Sequence, residues 1–425
     1  MTEAFLQYVW LHRLMRGELT TTDGQPICIL RAGELNTNAG PDFLNARLQI
    51  GDTLWAGNVE IHIKTSHWDC HKHTKDKNYN NVILHVVWEH DCTITTENGN
   101  KLPTLELKRH IPEYVWEQYD ALLNATSTDS IRCHNRLVDI PKWRMESYLT
   151  RMAIERMERK TEDTKRLLAD AKGSWETCCY WLMARYFGGK TNAFPFELLA
   201  KTCDLRLLAR WKDNLQRIEA LLYGQAGLLE GDFEDDYPQQ LQADYEAIRI
   251  GGKLTPISGH LWRTYRMRPS SFPTLRISQF AHLVTQSNNL FQYLLEQTSI
   301  SKIEELFSLE ASPYWNTHYQ FDKPSKECPK RLGKDFADLL IMNAWVPLLI
   351  EYGNQHGQPE YKEQALNLLQ QLQPENNNII RLWQQYDISP ENAIHTQALL
   401  ELHNEYCQKR KCADCQIGFQ LISKK

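Results

Sequence analysis

Apolar positions change rhythm twice along this chain. Residues 5–16 place Leu6, Val9, Trp10 and Leu14 on one side of a short helix. The helical period then gives way to short segments at 26–31, 42–50, 54–64, 82–88, 93–96 and 102–108. They are rich in Ile, Val, Leu and Trp and punctuated by Gly33, Gly40, Gly51, Gly57 and the Asn98-Gly99 turn signal. Such segments read as strands. Between two of them the polar stretch 73–81 predicts one or two helical turns. From about residue 112 the helical period returns, over 142–170, 174–187, 205–224, 238–249, 273–286, 333–352, 360–372 and 389–407. Helix-stop residues fall between these, at Gly188-Gly189, Gly251-Gly252, Pro256 and Pro269.

The pattern predicts an α+β chain. A small mixed β/α domain spans 1–111, a large all-helical region of one or two bundles spans 112–400, and a cysteine-bearing tail spans 401–425. A length of 425 residues is too great for one small core. The net charge of −5 excludes a basic field over the whole molecule, so contact with DNA or RNA would need a local patch. Residues 1–6 lack the basic-then-apolar pattern of a secretory signal, and no apolar run approaches the roughly 20 residues that span a bilayer. Eleven cysteines are too sparse for a secreted disulfide scaffold. The expectation is a cytoplasmic protein with no membrane partner.

Polar residues concentrate in Gly40-Pro41-Asp42-Phe43 and Val59-Glu60-Ile61-His62-Ile63-Lys64. On a strand, Glu60, His62 and Lys64 share one face. Register decides whether Asp42 joins them. If Gly51-Asp52-Thr53 is the loop, Asp42 opposes His62; a two-residue loop would place it opposite Ile61 and break the site. Two carboxylates held close repel unless a hard cation such as Mg²⁺ or Mn²⁺ lies between them. Such an ion suits phosphodiester hydrolysis, with Lys64 or His62 assisting the attacking water.

A Pro-Asp, a hairpin and an acid on the next strand resemble the PD-(D/E)xK nuclease superfamily over about residues 25–96. The resemblance implies a restriction-endonuclease-like arrangement, with Asp42 and Glu60 as metal ligands. His62 stands where that motif has lysine, and Lys64 comes two residues later. A broader similarity is to the bacterial domain-of-unknown-function family 2851. Residues 38–43, 57–62, Trp68, 71–73, 84–87, 194–200 and 224–229 carry it. That family brings no established activity.

Six of the fifteen histidines lie between 62 and 90. A second reading is therefore a His-rich metallohydrolase using His62, His71, His73 and Asp76, with His85 in an apolar strand nearby. Glu106-Leu107-Lys108 has acid–x–Lys spacing but no aspartate hairpin before it.

In the tail, Cys407, Cys412 and Cys415 supply three thiols, and His403 is the candidate fourth ligand for zinc. The spacing loosely resembles the iron–sulfur loop of DNA glycosylases, which has four cysteines. In the helical region Arg263, Arg266, Arg268 and Arg276, with Lys253, are interleaved with Trp262, Tyr265 and Phe272. Lys409-Arg410-Lys411 is a second basic stretch. Both suit phosphate contacts. The reading from another class is a non-catalytic module that binds nucleic acid or protein.

Overall fold

The computed structural model describes residues 1–97, 99–124, 130–252, 254–286 and 289–424. The fold is α+β: a mixed sheet near the N-terminus is followed by many helices. The chain divides into two compact units. The first, here the β unit, is Met1–Tyr148 with Leu402–Lys425; the second, the helical unit, is Leu149–Glu401.

The β unit opens with α1 (Glu3–His12), capped by the Thr2 hydroxyl, which accepts from the Phe5 amide. Seven strands follow: β1 (Leu19–Thr20), β2 (Pro26–Arg31), β3 (Glu34–Leu35), β4 (Phe43–Ile50), β5 (Thr53–Lys64), β6 (Val82–Glu89) and β7 (Thr104–Glu106). They form one sheet in the order β1-β2-β4-β5-β6-β7, with β3 also pairing to β4. The pairs up to β4–β5 are antiparallel, while β5–β6 and β6–β7 are parallel. The parallel strand β6, Val-Ile-Leu-His-Val-Val-Trp-Glu, is buried along its first six residues, as expected for a strand covered on both faces.

On one face Phe5, Leu6, Val9 and Trp10 of α1 join Phe43, Leu48, Val59, Ile61, Leu84 and Val86 in a single apolar core. Trp10 anchors the helix by donating to the Ala32 carbonyl at 2.9 Å. A smaller cluster forms around Trp68, Val82, Ile94 and Leu102. Gly57 lets β5 meet β6 closely: a Cβ there would lie 2.5 Å from the Asn81 carbonyl oxygen and from Ile83. The link from β5 to β6 holds α2 (His67–Cys70) and single helical turns at His73–Lys75 and Lys77–Tyr79. Residues 93–96 do not form a strand; they make one isolated bridge, Thr95 to Lys101. The expected turn residue Asn98 lies outside the described residues.

After α3 (Glu113–Leu123), α4 (Lys142–Asp170) contains the boundary between the units. The helical unit has a large hydrophobic core, which includes Phe187, Tyr223, Phe280, Trp315 and Trp345. The helix expected over 205–224 is two, Leu205–Ala209 and Leu215–Gln225, because Asn214 caps the second. Gly189 opens a helix rather than ending one. Among the described residues, Lys334–His356 is the helical run long and apolar enough to span a bilayer, and 78% of its apolar window is buried inside the fold. Pro347 has no N–H to offer Asn343, and a wide turn at Ile341–Trp345 precedes it.

Candidate metal centre

The β4–β5 loop has two residues, Gly51 and Asp52, since Ile50 pairs with Thr53. That is the loop length expected to break the site, yet Asp42 and Glu60 still meet. The reason is a bulge. Between Phe43 and Ala46 the register slips by one, so Phe43 pairs with Val59 while Ala46 pairs with Gly57. Asn45 sits at the slip in the left-handed conformation (φ 58°), and its N–H donates to Asn58 Oδ1. The expected pairing of Asp42 with His62 is thus corrected by two residues, one from the shorter loop and one from the bulge, and Asp42 lies beside Glu60.

The two acids are held by backbone amides. Glu60 Oε2 accepts from the Asp42 N–H, and Asp42 Oδ2 accepts from the Ile61 N–H, each at 3.0 Å. Asp42 Oδ1 accepts from Gln7 Nε2 of α1 at 2.8 Å. Both Asp42 oxygens are therefore engaged in fixing α1 and β5, whereas Glu60 Oε1 faces a group of imidazoles. It lies 3.4 Å from both His62 Nε2 and His73 Nε2. Burial raises the Glu60 pKa to about 8, with Asp42 adding to the rise. Burial likewise raises Asp42 to about 6, against the Ile61 amide.

His62 is the hub of the imidazoles. Its Nδ1 lies 2.9 Å from His85 Nε2, and its Nε2 lies 3.1 Å from His71 Nδ1. His73 stacks on the Tyr79 ring at 3.8 Å, and Trp68 meets both His73 and His85 edge-on or tilted. Ligand atoms of His62, His71 and His73 all fall within 4.8 Å of one another. His62 and His73 are buried and His71 is exposed, so the group opens to solvent on the His71 side. Burial, then the neighbouring rings, pushes His62 down to about 2; burial and His71 push His73 down to about 4. Burial holds His85 at about 3. His62, His73 and His85 are thus neutral near pH 7, the form of imidazole that ligates metal. His73 Nε2 and His85 Nδ1 are buried with no hydrogen-bond partner; His73 Nε2 has only the 3.4 Å approach of Glu60.

Two expected members stand apart. Lys64 is half exposed, and its Nζ lies 3.9 Å from Glu89 Oε1 on the neighbouring strand. At the rim of the sheet it meets solvent before it meets the acids. Asp76 is exposed and caps Lys77–Tyr79 by accepting from the Asn78 N–H, so its carboxylate is a turn-former. Glu106 accepts from the His90 amide at 3.3 Å, and Lys108 pairs with Glu89.

A family model described as "Protein of unknown function (DUF2851)" matches residues 3–378. The chain belongs to this family. Comparison with curated proteins and with solved structures finds no match. The DUF2851 match contains Asp42, Glu60, all six clustered histidines and the arginine stretch, while Cys407, Cys412 and Cys415 lie beyond it.

Of the four arginines expected to contact phosphate, Arg263, Arg266 and Arg268 are exposed and Arg276 is buried. Arg276 is only 7% exposed, donates to Gln279 at 2.9 Å and lies over the Phe336 ring. Its helix, Pro273–Gln286, turns an almost fully buried first half into the core, and Arg276 goes with it. Arg266 lies over Tyr265 on the outside, Arg263 is tied through its backbone to Asn192, and Arg268 lines a cavity with Arg276 and Lys190. Lys253 lies outside the described residues. His403 is not aimed at the tail cysteines: its Nδ1 contacts Asn404 at 3.1 Å and its Nε2 contacts Ser130 at 3.4 Å.

Proposed function

We propose that the β unit is a divalent-metal-dependent hydrolase of phosphate esters, in which His62, His71 and His73 hold the ion and Glu60 takes the proton of the attacking water. The observation that carries this reading is the trio of imidazoles with ligand atoms within 4.8 Å of one another. Around a tetrahedral zinc with bonds of 2.0–2.1 Å, neighbouring ligand atoms stand about 3.3–3.4 Å apart. The 3.1 Å separation of His62 Nε2 from His71 Nδ1 is on that scale. Three protein ligands leave a fourth position for water. Imidazole donors favour zinc, iron or nickel over the Mg²⁺ or Mn²⁺ that a pair of carboxylates would select.

An anionic substrate fits the rim. Lys72, Lys75 and Lys77 are exposed on the segment that carries His71 and His73. DNA or RNA is the first polymer to test. Metal-free protein would be titrated with Zn²⁺, Mn²⁺ and Mg²⁺ and assayed on an aryl phosphodiester and on single- and double-stranded DNA and RNA. His71→Ala should lose bound metal and cleavage together. Glu60→Gln should keep metal and lose roughly 10²–10⁴-fold in rate, the usual contribution of a general base. Absence of cleavage with every ion, or unchanged rates in both variants, would refute the reading.

A further inference from the structure

Cys133 lies far upstream of the tail cysteines, but its surroundings are the tail itself. It precedes the short helix His134–Asp139, whose Arg136 donates to the Leu421 carbonyl at 3.4 Å. Lys424 Nζ reaches the Asp139 carbonyl at 3.3 Å. Cys133, Cys412, Ala413 and Phe419 pack against the same apolar core. The four thiols act on one another electrostatically: Cys407 feels Cys133, Cys415 and Cys412, and Cys133 feels Cys415 and Cys412. Burial first, then these neighbours, pushes Cys133 up to about 12, and Cys407 is also raised. None of the four is in a disulfide. Four protonated thiols gathered in an apolar setting gain little from one another.

The backbone is shaped around the sulfurs. Arg410 takes the left-handed conformation (φ 56°), and the Lys411 N–H returns to the Tyr406 carbonyl at 2.9 Å, closing the loop between Cys407 and Cys412. Cys415 stands at the start of the helix Gln416–Ser423, and its N–H donates to the Cys412 carbonyl at 3.4 Å. The Tyr148 hydroxyl lies 3.3 Å from the Cys415 sulfur. Gly418 lets this helix pass close to the cysteine loop, because a Cβ there would lie 2.0 Å from the Cys412 carbonyl oxygen. A hydroxyl at hydrogen-bond distance from a sulfur suits a thiolate, and hydrogen bonds to the sulfurs tune iron–sulfur sites.

We propose that Cys133, Cys407, Cys412 and Cys415 bind one iron–sulfur cluster that fastens the tail to the β unit. A single zinc with bonds of about 2.3 Å would draw four sulfurs to about 3.8 Å from one another. Among the described residues, no three cysteine sulfurs all lie within 4.8 Å of each other. That wider spacing suits a polynuclear cluster, whose thiolates sit on separate irons. The site is independent of the histidine centre, and its role is structural.

The test uses the full chain, purified without oxygen, with iron, acid-labile sulfide and zinc measured alongside the visible spectrum. The parent should be brown, with about four irons and four sulfides per chain, one at each cubane corner. Cys133→Ser should lose them, while His403→Ala and Cys28→Ser keep them. Thiol alkylation of the parent gives a second readout that does not depend on the folding of Cys133→Ser. Cys133, Cys407, Cys412 and Cys415 should become reactive together when the iron is stripped, whereas exposed Cys28, Cys70 and Cys328 react throughout. Zinc without iron, iron retained in Cys133→Ser, Cys133 reactivity unaffected by stripping, or a parent that neither holds nor takes up iron and sulfide would each overturn the proposal.

Discussion

Asp42 and Glu60 clasp each other's strands: the Asp42 amide donates to the Glu60 carboxylate, and the Asp42 carboxylate receives the amide of the residue after Glu60. This makes Asp42 a fastener of β4 to β5, and leaves one Glu60 oxygen for the histidines. Asp42→Ala strands the buried Ile61 N–H and should cost about 1–3 kcal/mol. Chemical denaturation would measure that loss. Stoichiometric metal binding should survive at temperatures where the variant is folded. A folded Asp42→Ala protein that no longer binds metal would return Asp42 to the ligand set.

His85 touches His62 through the nitrogen opposite the one that faces His71 and Glu60. A group in that position fixes the tautomer and orientation of a ligand ring. His85→Ala should therefore weaken metal affinity roughly 10–100-fold without abolishing it. His71→Ala removes a ligand from the exposed side and should abolish stoichiometric binding. Titration calorimetry on both variants checks the order; a weaker effect at His71 than at His85 would reverse the assignment.

The pH dependence of stability has two opposed limbs in metal-free protein. His62, His73 and His85 have folded values of about 2, 4 and 3, all below the ordinary 6.5. The unfolded chain takes up their protons first, so their contribution is full above pH 6.5 and is lost as pH falls below it. Glu60 runs the other way, raised from 4.5 to about 8. Its contribution is full below pH 4.5 and is lost as pH rises toward 8. Glu60→Gln cannot ionise, so its melting temperature should gain on the parent steadily between pH 4.5 and 8. Melting curves in chelator at several pH values test this, and a constant difference would mean that Glu60 titrates normally.

If the lysine rim contacts phosphates, binding to DNA at low salt should weaken with a logarithmic slope of roughly −0.9 per contact. Replacing Lys72, Lys75 and Lys77 with alanine should flatten that slope by roughly two to three units. Arg276→Ala should instead lower stability, because the side chain is buried over Phe336. A salt slope unaltered in the triple variant would place any phosphate contacts elsewhere.

The alternation of β4 and β5 and the unbroken apolar run of β6 were legible because strand period and burial are written directly into residue type. The register was not. A two-residue turn moves the partner of Asp42 from His62 to Ile61, and the bulge at Asn45 moves it once more to Glu60, so the two shifts add up to a return to the same face. Asn tolerates the left-handed conformation, which is the one local signal that marked the slip. His62, His71 and His73 were legible as a group, but Asp76 was read as a ligand although its placement two residues before Asn78 suits a turn cap. Glu60 and His62 were legible as one strand face, and only the fold brings His71 and His73 to them. Cys133 had no spacing signal, since ligands from distant parts of a chain meet through tertiary packing alone. Arg276 looked like its neighbours in sequence, and the buried phase of its helix sets it apart.

The β unit is discontinuous, and this sets an order for its synthesis. Residues 402–425 belong with Met1–Tyr148, yet they emerge only after Leu149–Glu401 has been translated. At roughly 5–20 residues per second the interval is on the order of 10–50 seconds. Throughout it the sheet waits without the segment that packs against α3 and the Phe419 side of its core. A nascent chain stalled before residue 402 should therefore offer a chaperone an apolar surface that is covered once residues 402–425 have emerged, and that stretch should act as the latch that ends the exposure.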